Sequence, residues 1–431
     1  MYQFRDPIHG FIEVTKLERD LINSAPFQRL RNIKQLATTY LVYHGAEHTR
    51  FGHSLGVMHL VSRAFDTVLS KNPKLFDERT KNWYRQILRL MALTHDLGHA
   101  PFSHASESLF VDKREHEDYT KDILLNTEVA DYIRAMGKDL VQTQSSEYDI
   151  TPELVWLIYD GNDVWNDKYI MPDFKFLKSF MDGALDCDKM DYLIRDSYFC
   201  GVKYGEYDIE RLVSSFTAYQ KTDENILLLA VDRGGIHALE EFVLARYFMF
   251  IQVYYHKTRR FMDKRLISCL ENILPSGKYP VDVFEYMDWD DTKVINTAKA
   301  HKDVCFADNY LKRNIMSCVY QTNVHADTHG TKLFKIIERT LKEEIVKRGV
   351  QDKDLINYVI TDEASTPVHK ISEGLGDERA IPIIIEHQGQ PSTVYEESLL
   401  LKGLQQAISI KRIYVANEHK ELAVEIINRC N

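Results

Sequence analysis

The stretch THDLGHAPFSH, residues 94–104, places four imidazole and carboxylate side chains within ten residues, directly after an apolar helical run. His95 and Asp96 are adjacent at the predicted end of that helix, so both side chains can reach one cation. Gly98 and Pro101 follow and are typical of a helix end. The apolar run consists of Ile87, Leu88, Met91 and Leu93. An isolated His-Asp pair is more often a surface or capping pair than a metal site, so other segments must support it.

Two further segments carry side chains of the same kind. In HTRFGHSLGV, residues 48–57, His53 stands at the start of a predicted core helix with Arg50 three residues earlier, which suits a metal ligand beside a phosphate-binding cation. Taken alone, His53 is more readily explained as a structural histidine. In ALDCDKMDYLIRD, residues 184–196, carboxylates alternate with cationic and aromatic residues, a pattern that also fits a solvated acidic helix. This segment contains Asp186, Asp188, Lys189, Asp191, Tyr192, Arg195 and Asp196.

Together the three segments resemble the HD-domain superfamily, whose H…HD…D signature is matched by His53, His95, Asp96 and Asp188. The chain is further similar to the deoxynucleoside triphosphate triphosphohydrolases, the family that includes the sterile-alpha-motif and HD-domain protein. The motifs that carry this similarity, between residue 6 and about residue 260, are DPIHGFIEV, FQRLRNIKQL, TRFGHSLGV, HDLGHAPFSH, DCDKMDYLIRD and YYHK. Since the similarity begins almost at residue 1, we expect a compact bacterial relative without the sterile-alpha-motif domain.

The fold class that the resemblance implies is mainly α, with a helical HD core and a smaller C-terminal α+β appendage. We expect residues 1–325 to hold the metal and nucleotide site and residues 326–431 to serve oligomerisation or regulation. The polar residues 361–379 predict a long loop. In the appendage, apolar runs at 381–385 and 412–416 alternate with helical patterns at 396–409 and 418–429.

Hydrophobic spacing predicts three further helices and one strand in the core. One helix follows Ser54 as its N-cap, with an apolar face of Val61, Ala64, Phe65 and Val68. Another starts at Pro26, with a stripe of Phe27, Leu30, Ile33 and Leu36. The longest covers residues 236–274, where a single face would carry Arg246, Phe250, Val253 and Lys257. Residues 225–231 (NILLLAV) predict a strand, although a buried helical turn also fits.

The resemblance implies cleavage between the α-phosphorus and the 5′ oxygen of a deoxynucleoside triphosphate, which releases the deoxynucleoside and inorganic triphosphate. The ligands His53, His95, Asp96 and Asp188 would hold a divalent transition metal, with Mn, Fe, Ni, Co and Zn all compatible and Mg also admitted. His104 would be the general acid, since the deoxyribose oxygen is a poor leaving group. Glu107 and His116 would orient it or replace it, and His99 would contact phosphate.

The family pattern also assigns residues to the substrate. Arg50, Lys189, Tyr192 and Arg246 would neutralise the triphosphate, and Asp196, Tyr254, Gln35 and Leu36 would surround the sugar. A close wall at Gln35, Leu36 and Tyr254 would exclude a 2′-hydroxyl and so select deoxyribose. From the residues alone, the solvated face of a long helix is the favoured explanation of Arg246 and Lys257, and core packing is that of Tyr192 and Tyr254.

Related enzymes assemble as homo-oligomers, often tetramers, around nucleotide activator sites. The positions here that resemble such a site are Asn23, Gln28, Arg31, Arg211, His256 and Lys257. Asn23 departs from the aspartate of relatives that read guanine, which changes the hydrogen-bonding pattern and leaves the activator open. Glu107 stands where the related enzyme has a shorter aspartate, a change that alters the reach of a supporting carboxylate.

Bulk properties restrict the other functions. The formal net charge of −10 disfavours a broad basic surface for duplex nucleic acid. Six cysteines without C-x-x-C spacing favour a reducing, cytoplasmic location. No run of about 18 apolar residues predicts a membrane span. Two alternatives stay open: another HD phosphohydrolase that acts on nucleoside monophosphates or cyclic nucleotides, and a nucleic-acid-binding protein with a degenerate HD site, against which the intact ligand set argues.

Overall fold

The computed structural model describes residues 1–144, 149–160, 173–221, 226–301, 312–375, 379–387 and 389–430. Most of these residues lie in helices, so the predicted mainly helical fold is confirmed. The helices are α1 (Lys16–Ile22), α2 (Ala25–Arg29), α3 (Arg50–Lys71), α4 (Glu78–Thr94), α5 (His116–Asn126), α6 (Glu128–Gln144), α7 (Pro152–Asp160), α8 (Asp173–Ser179), α9 (Cys187–Cys200), α10 (Ile209–Ser214), α11 (Ile236–Met249), α12 (Lys257–Ile273), α13 (Val283–Met287), α14 (Asp291–Ala300), α15 (Thr328–Lys347), α16 (Val394–Glu397), α17 (Leu399–Gly403) and α18 (Lys420–Cys430).

Three small sheets accompany the helices. The strands are β1 (Tyr2–Asp6), β2 (Gly10–Val14), β3 (Phe216–Lys221), β4 (Ile226–Asp232), β5 (Ser317–Gln321), β6 (Val359–Thr366), β7 (Ile383–Ile384) and β8 (Ile408–Val415). β1 and β2 form an antiparallel pair, β4 lies between antiparallel β3 and parallel β7, and β8 lies between β5 and β6, antiparallel to both. The predicted strand at 225–231 is thus confirmed as β4 for residues 226–231, and residue 225 lies outside the described residues.

The central helix α3 packs against α4 and α9, and these three helices carry the ligands predicted above. A Cβ atom on Gly56 of α3 would lie 2.0 Å from Asp191 Oδ1 and 2.4 Å from Arg195 Nη2. Glycine is therefore required at this position for the polar face of α9 to approach α3 so closely. The helix begins at Arg50 after the N-cap Thr49, so the prediction of Ser54 as N-cap is wrong. Ser54 is fully buried inside the helix.

The helix predicted from Pro26 is shorter than its apolar stripe. α2 ends at Arg29 and a 3₁₀ turn, Leu30–Asn32, follows it. Beyond this turn the backbone pairs with a distant segment, since Gln35 N donates to His48 O at 3.1 Å and Arg50 N donates to Ile33 O at 3.0 Å. These bonds extend the chain just where helical spacing would have continued the helix.

The long helix predicted for residues 236–274 is divided in two. α11 passes into a π turn, Phe250–Tyr254, and α12 starts after His256, whose ring accepts a hydrogen bond from Thr258 N. Arg246 is buried on α11, whereas Lys257 is exposed on α12. The prediction that these two cations share one stripe is therefore wrong.

The polar composition of part of the C-terminal region led to a wrong prediction of a loop. Residues 361–366 belong to β6, although residues 361–379 were predicted as a loop. The fully buried Asp362 in this strand accepts hydrogen bonds from Arg260 at 3.0 Å and pairs in register with Arg412 of β8. Ile408 and Ser409, predicted as the end of a helix, are the first residues of β8.

The predicted boundary at residue 325 stays a prediction, and several contacts of the described residues cross it. β5 before the boundary pairs with β8 after it, and β4 pairs with β7. Val368 and Ile371 are buried in the same hydrophobic core as α3 and α11. Within the described residues, no helix is both long and apolar enough to cross a membrane.

Candidate active site

The metal ligands predicted from the sequence meet at one point of the core. His53 lies in the first turn of α3, His95 caps the C-terminus of α4 with Asp96 after it, and Asp188 lies in the first turn of α9. His53 Nε2 is 2.9 Å from Asp188 Oδ1, and His95 Nε2 is 3.3 Å from Asp96 Oδ1 and 3.9 Å from Asp188 Oδ1. His53, His95 and Asp96 are almost fully buried. The three helix ends thus converge on one donor cluster.

The donor atoms of this cluster fit a divalent metal ion. His95 Nδ1 donates to the carbonyl of Ala92 at 2.8 Å, which orients Nε2 towards the cluster. This Nε2 atom is buried and has no hydrogen-bond partner among the described residues. A buried acceptor that points towards carboxylates calls for a cation between them. Two imidazoles with two carboxylates suit a divalent transition metal, whose identity these donors do not fix.

A second layer of charges holds His53 in place. Asp191 Oδ2 lies 2.8 Å from His53 Nδ1, which fixes the ring with Nε2 towards the cluster. Asp191 also accepts hydrogen bonds from Arg195 at 2.7 and 3.0 Å and lies 2.6 Å from His9 Nε2. Arg195 in turn donates to Asp6 at 2.9 Å. Burial raises the pKa of Asp191, but Arg195, His53 and His9 outweigh this and hold it well below its usual range.

A second polar cluster, formed by His99, His104, Glu107 and His116, lies beside the first. Glu107 Oε1 is 2.6 Å from His99 Nδ1, and its Oε2 is 2.9 Å from His104 Nδ1 and 3.5 Å from His116 Nδ1. The rings of His99 and His116 stack at 3.8 Å, while the side chain of His104 is 64% exposed. His99 Nε2 lies 3.1 Å from Asp96 Oδ1, so the two clusters are in contact.

The charges of the second cluster follow from its burial. Burial raises the pKa of Glu107, but the neighbouring histidines His104 and His99 outweigh it and hold the pKa well below its usual range. Burial, with Arg50 and His116, lowers the pKa of His99 to about 3. Burial also opposes protonation of His116, but its hydrogen bond to Glu107 raises its pKa above the ordinary value. At neutral pH the cluster therefore combines an ionised Glu107 with a neutral His99.

Both clusters open into one cleft of about 1160 Å³. The cleft is long enough to connect groups from α4, α9, the π turn and α12. Its lining includes His95, Asp96, His99, His104, His116, Asp188, and the predicted substrate residues Gln35, Leu36, Arg50, Lys189, Tyr192, Asp196 and Tyr254. A volume of this order accommodates a nucleotide.

Residues 50–159 match the HD domain, and residues 207–407 match the HD associated region. The chain belongs to the HD-domain family. The matched HD domain contains three of the four predicted metal ligands, His53, His95 and Asp96, and the fourth, Asp188, lies between the two matched regions.

The chain is also similar to proteins that overlap it fully or in part. Uncharacterized protein YwfO of Bacillus subtilis is 39% identical over 269 residues, which are 62% of this chain and 54% of that protein. The protein named deoxynucleoside triphosphate triphosphohydrolase SAMHD1 homolog of Dictyostelium discoideum is 29% identical over 399 residues, 83% of this chain and 68% of that protein. The crystal structure of a hypothetical protein from Aquifex aeolicus is 30% identical, with a TM-score of 0.74 over 99% of both chains. This chain spans little more than half the length of YwfO and of the archaeal and mycoplasma proteins that it also matches.

The predicted substrate residues of the HD cleft are mostly held by protein partners. Arg50 donates to Asp96 at 2.7 Å and to Ser103 Oγ at 2.8 Å. Tyr254 donates to Asp196 Oδ2 at 2.7 Å, and Lys189 pairs with Asp186. Arg246 does not line the cleft, because its guanidinium donates to the carbonyls of residues 367 and 368.

The predicted activator residues lie on three separate parts of this chain. Asn23 ends α1, and Gln28 accepts a hydrogen bond from Arg31 at 2.8 Å nearby. Arg211 of α10 donates to the carbonyl of Gly234 at 3.0 and 2.7 Å. The remaining two, His256 and Lys257, begin α12. Nucleotide activation and homo-oligomeric assembly stay predictions.

Sequence reasoning missed a buried carboxylate that joins two walls of the HD cleft. Asp291, at the start of α14, accepts hydrogen bonds from Lys34 N at 3.0 Å and from Phe102 N at 2.7 Å. Ser103 Oγ donates to Lys34 O at 2.7 Å and completes the clamp. The clamp fixes Gln35 relative to the loop of the second cluster. Asp291 sits about 190 residues from Phe102, so no local pattern could indicate it.

Asp191→Asn should weaken metal binding about 10–100-fold, because the amide supports His53 less well than the carboxylate does. Metal affinity would be measured by titrating the stripped protein with Mn²⁺, with a thermal melt to confirm folding. Asp66→Asn is the matched control and should bind as wild type, because Asp66 is an exposed aspartate of α3 that pairs with Arg85 at 2.9 Å. Wild-type affinity in a folded Asp191→Asn protein would contradict the supporting role.

Asp291→Asn should remove a pH dependence of stability. Burial raises the pKa of Asp291 from 3.8 to about 7, although the amides of Lys34 and Phe102 lower it. The folded chain thus binds this proton more tightly than the unfolded chain, and the resulting stabilisation, complete below pH 3.8, is lost as the pH rises through about 7. The free energy of unfolding would be measured by urea denaturation at several pH values. The difference between wild type and variant (wild type minus variant) should fall between pH 4 and pH 7. A flat difference would show that Asp291 titrates normally.

Proposed function

We propose that this chain hydrolyses deoxynucleoside triphosphates to the deoxynucleoside and inorganic triphosphate. The observation that carries the proposal is that one cleft joins the metal cluster, the second histidine cluster, a set of lysines and the paired Asp196 and Tyr254. The metal cluster would bind the α-phosphate, and the second histidine cluster would face the leaving oxygen. The lysines would bind the outer phosphates, and Asp196 with Tyr254 would bind the sugar. The name of the Dictyostelium relative, a deoxynucleoside triphosphate triphosphohydrolase homolog, supports the same substrate.

His53, His95, Asp96 and Asp188 would hold the metal, which when bound would polarise a phosphate oxygen and lower the pKa of a water molecule. Arg50 contributes a fixed positive charge next to this position. Its guanidinium is buried and held by Asp96 and Ser103, so it would bind an α-phosphate oxygen with little loss of side-chain entropy. The neutral His99 at the same wall would serve as a hydrogen-bonding group and not as a second cation.

His104 would protonate the 5′ oxygen as it leaves. Its Nδ1 donates to Glu107 Oε2 at 2.9 Å, so the transferable proton would be held at Nε2. The carboxylate of Glu107 would hold the ring in this orientation, and the cleft reaches the exposed face of His104. His116 shares the same carboxylate and would keep Glu107 oriented during proton transfer.

The sugar end of the cleft is built from Asp196, Tyr254, Gln35 and Leu36. Asp196 is held on both oxygens, by Tyr254 and by His48 Nε2 at 2.8 Å. A carboxylate fixed in this way would accept a hydrogen bond from a sugar hydroxyl. The buried Oε1 of Gln35 has no hydrogen-bond partner among the described residues and would gain one from the substrate. Leu36 and Tyr254 would leave no space for a 2′-hydroxyl, which supports deoxyribose selectivity.

The proposed reaction can be tested by identifying its products. With Mn²⁺ or Mg²⁺ and a mixture of deoxynucleoside triphosphates, the wild type should release deoxynucleosides and inorganic triphosphate in equal amounts. The double variant His95→Ala/Asp96→Ala should release neither. His104→Gln should keep its metal and lose about 10²–10⁴-fold in kcat, the usual contribution of a general acid. Products would be resolved by ion-exchange and reversed-phase chromatography.

His237→Gln is the matched control for His104→Gln. His237 Nδ1 bonds Glu240 at 2.9 Å with the same spacing of three residues, but on the exposed face of α11. This control should retain the wild-type rate. Stepwise release of orthophosphate, or hydrolysis of nucleoside monophosphates or cyclic nucleotides instead, would contradict the proposed reaction and favour another HD phosphohydrolase activity.

A further inference from the structure

A segment of the C-terminal region passes along the HD cleft and is firmly attached to the helical core. We call residues 366–371 the strap. It follows β6, and its side chains Val368 and Ile371 are buried in the main hydrophobic core. Tyr395 OH donates to the carbonyl of Ile371 at 2.9 Å, and His369 Nε2 lies 3.3 Å from Leu401 O. The strap is therefore a fixed part of the cleft wall.

Arg246 provides the attachment on the side of α11. Its side chain is buried, and Nη1 donates to Pro367 O at 2.6 Å and also to Val368 O. Two backbone carbonyls share one guanidinium, which fixes the path of the strap at this point. Arg246 thus acts on the strap, and its position behind the cleft lining makes it a positioning residue.

Between these attachments, Lys370 lines the cleft. Its neighbours Val368, His369 and Ile371 are all held by the protein, so the backbone that carries Lys370 has little freedom. No hydrogen bond or ion pair engages Lys370 within the part of the chain that the structure describes. A lysine on a fixed backbone with an unengaged ammonium group is suited to bind an anionic ligand.

The surroundings of Lys370 carry an excess of positive charge. Lys178 and Lys189 line the same part of the cleft, together with Asp182. Lys189 pairs with the buried Asp186, and Lys178 Nζ lies 3.8 Å from Asp182. Burial, then Lys189, lowers the pKa of Lys370, and Asp182 opposes this. Within the described residues, Lys370 is then the one of these three lysines that has no carboxylate partner, so a polyanion would relieve the repulsion.

We propose that Lys370 binds the outer phosphates of the substrate, so that the strap makes the HD cleft selective for a chain of phosphates. This inference rests on the proposed function, which places the α-phosphate at the metal cluster and the outer phosphates beyond Lys189. Lys370 then supplies the charge that the sequence assigned to Arg246, and Arg246 keeps Lys370 in place. We expect a monophosphate or a simple phosphodiester, which has no outer phosphates, not to engage Lys370.

Lys370→Gln in the full chain tests the proposal. In calorimetry with inorganic triphosphate and excess Mg²⁺, the variant should bind about tenfold or more weakly, the loss of one charge-assisted contact. For deoxynucleoside triphosphates KM should rise to a similar extent, with kcat little changed. Hydrolysis of bis(4-nitrophenyl) phosphate, which has no outer phosphates, should stay at the wild-type rate. Lys370→Arg keeps the charge and should restore most of the binding.

The control variant is Lys175→Gln, which removes an exposed lysine one turn from Lys178 on α8, outside the cleft lining. It should bind inorganic triphosphate as wild type does. Unchanged binding and KM in Lys370→Gln would overturn the proposal, even if wild type releases triphosphate as proposed. Conversely, if wild type cleaves no deoxynucleoside triphosphate but binds inorganic triphosphate through Lys370, the polyphosphate subsite stands and the proposed reaction fails.

Discussion

The contact between α3 and α9 depends on a buried chain of charges. Asp191 holds His53, Arg195 holds Asp191, and Asp6 of β1 holds Arg195. A buried charge without its partner costs several kcal/mol, so each member of this chain requires the next. The absence of a side chain on Gly56 lets α9 approach closely enough for these bonds. The same contact brings Asp188 to His53, so the packing of the core and the geometry of the metal cluster have one cause.

The cleft extends outward from this centre, and different interactions hold its walls in place. The loop after α4 is tied to the wall at Gln35 through the buried Asp291, and its histidines share the single carboxylate of Glu107. On the opposite side the strap is held by Arg246. The C-terminal region is thus part of the cleft, and it supplies Lys370 to a site whose other groups come from the HD core.

Sequence reasoning succeeded where the signal is local. The apolar spacing before residue 94 predicted the helix that His95 ends, and the resemblance to the HD-domain signature identified four donors that the fold does bring together. It failed where distant segments decide the structure. The spacing after Pro26 continued as a helix, but hydrogen bonds to residues 48–50 extend that chain.

Charges at a distance explain the other differences. Asp362 made β6 look like a polar loop, because its partners Arg260 and Arg412 lie far away in sequence. No sequence pattern indicated Asp291 or Lys370. Asp291 binds backbone amides that are distant in sequence, and Lys370 lines a cleft that only the folded chain forms. The break between α11 and α12 was hidden because apolar residues continue through the π turn.

Anomalous diffraction from crystals grown with Mn²⁺ would show whether His53, His95, Asp96 and Asp188 hold one divalent ion. We expect a single strong peak at about 2.0–2.3 Å from the Nε2 atoms of both histidines and from an oxygen of each aspartate. The donor atoms of His99, His104, Glu107 and His116 also lie within 4.8 Å of one another. A peak at that second cluster alone, with none beside His95 Nε2, would show that the four predicted ligands do not form the metal site.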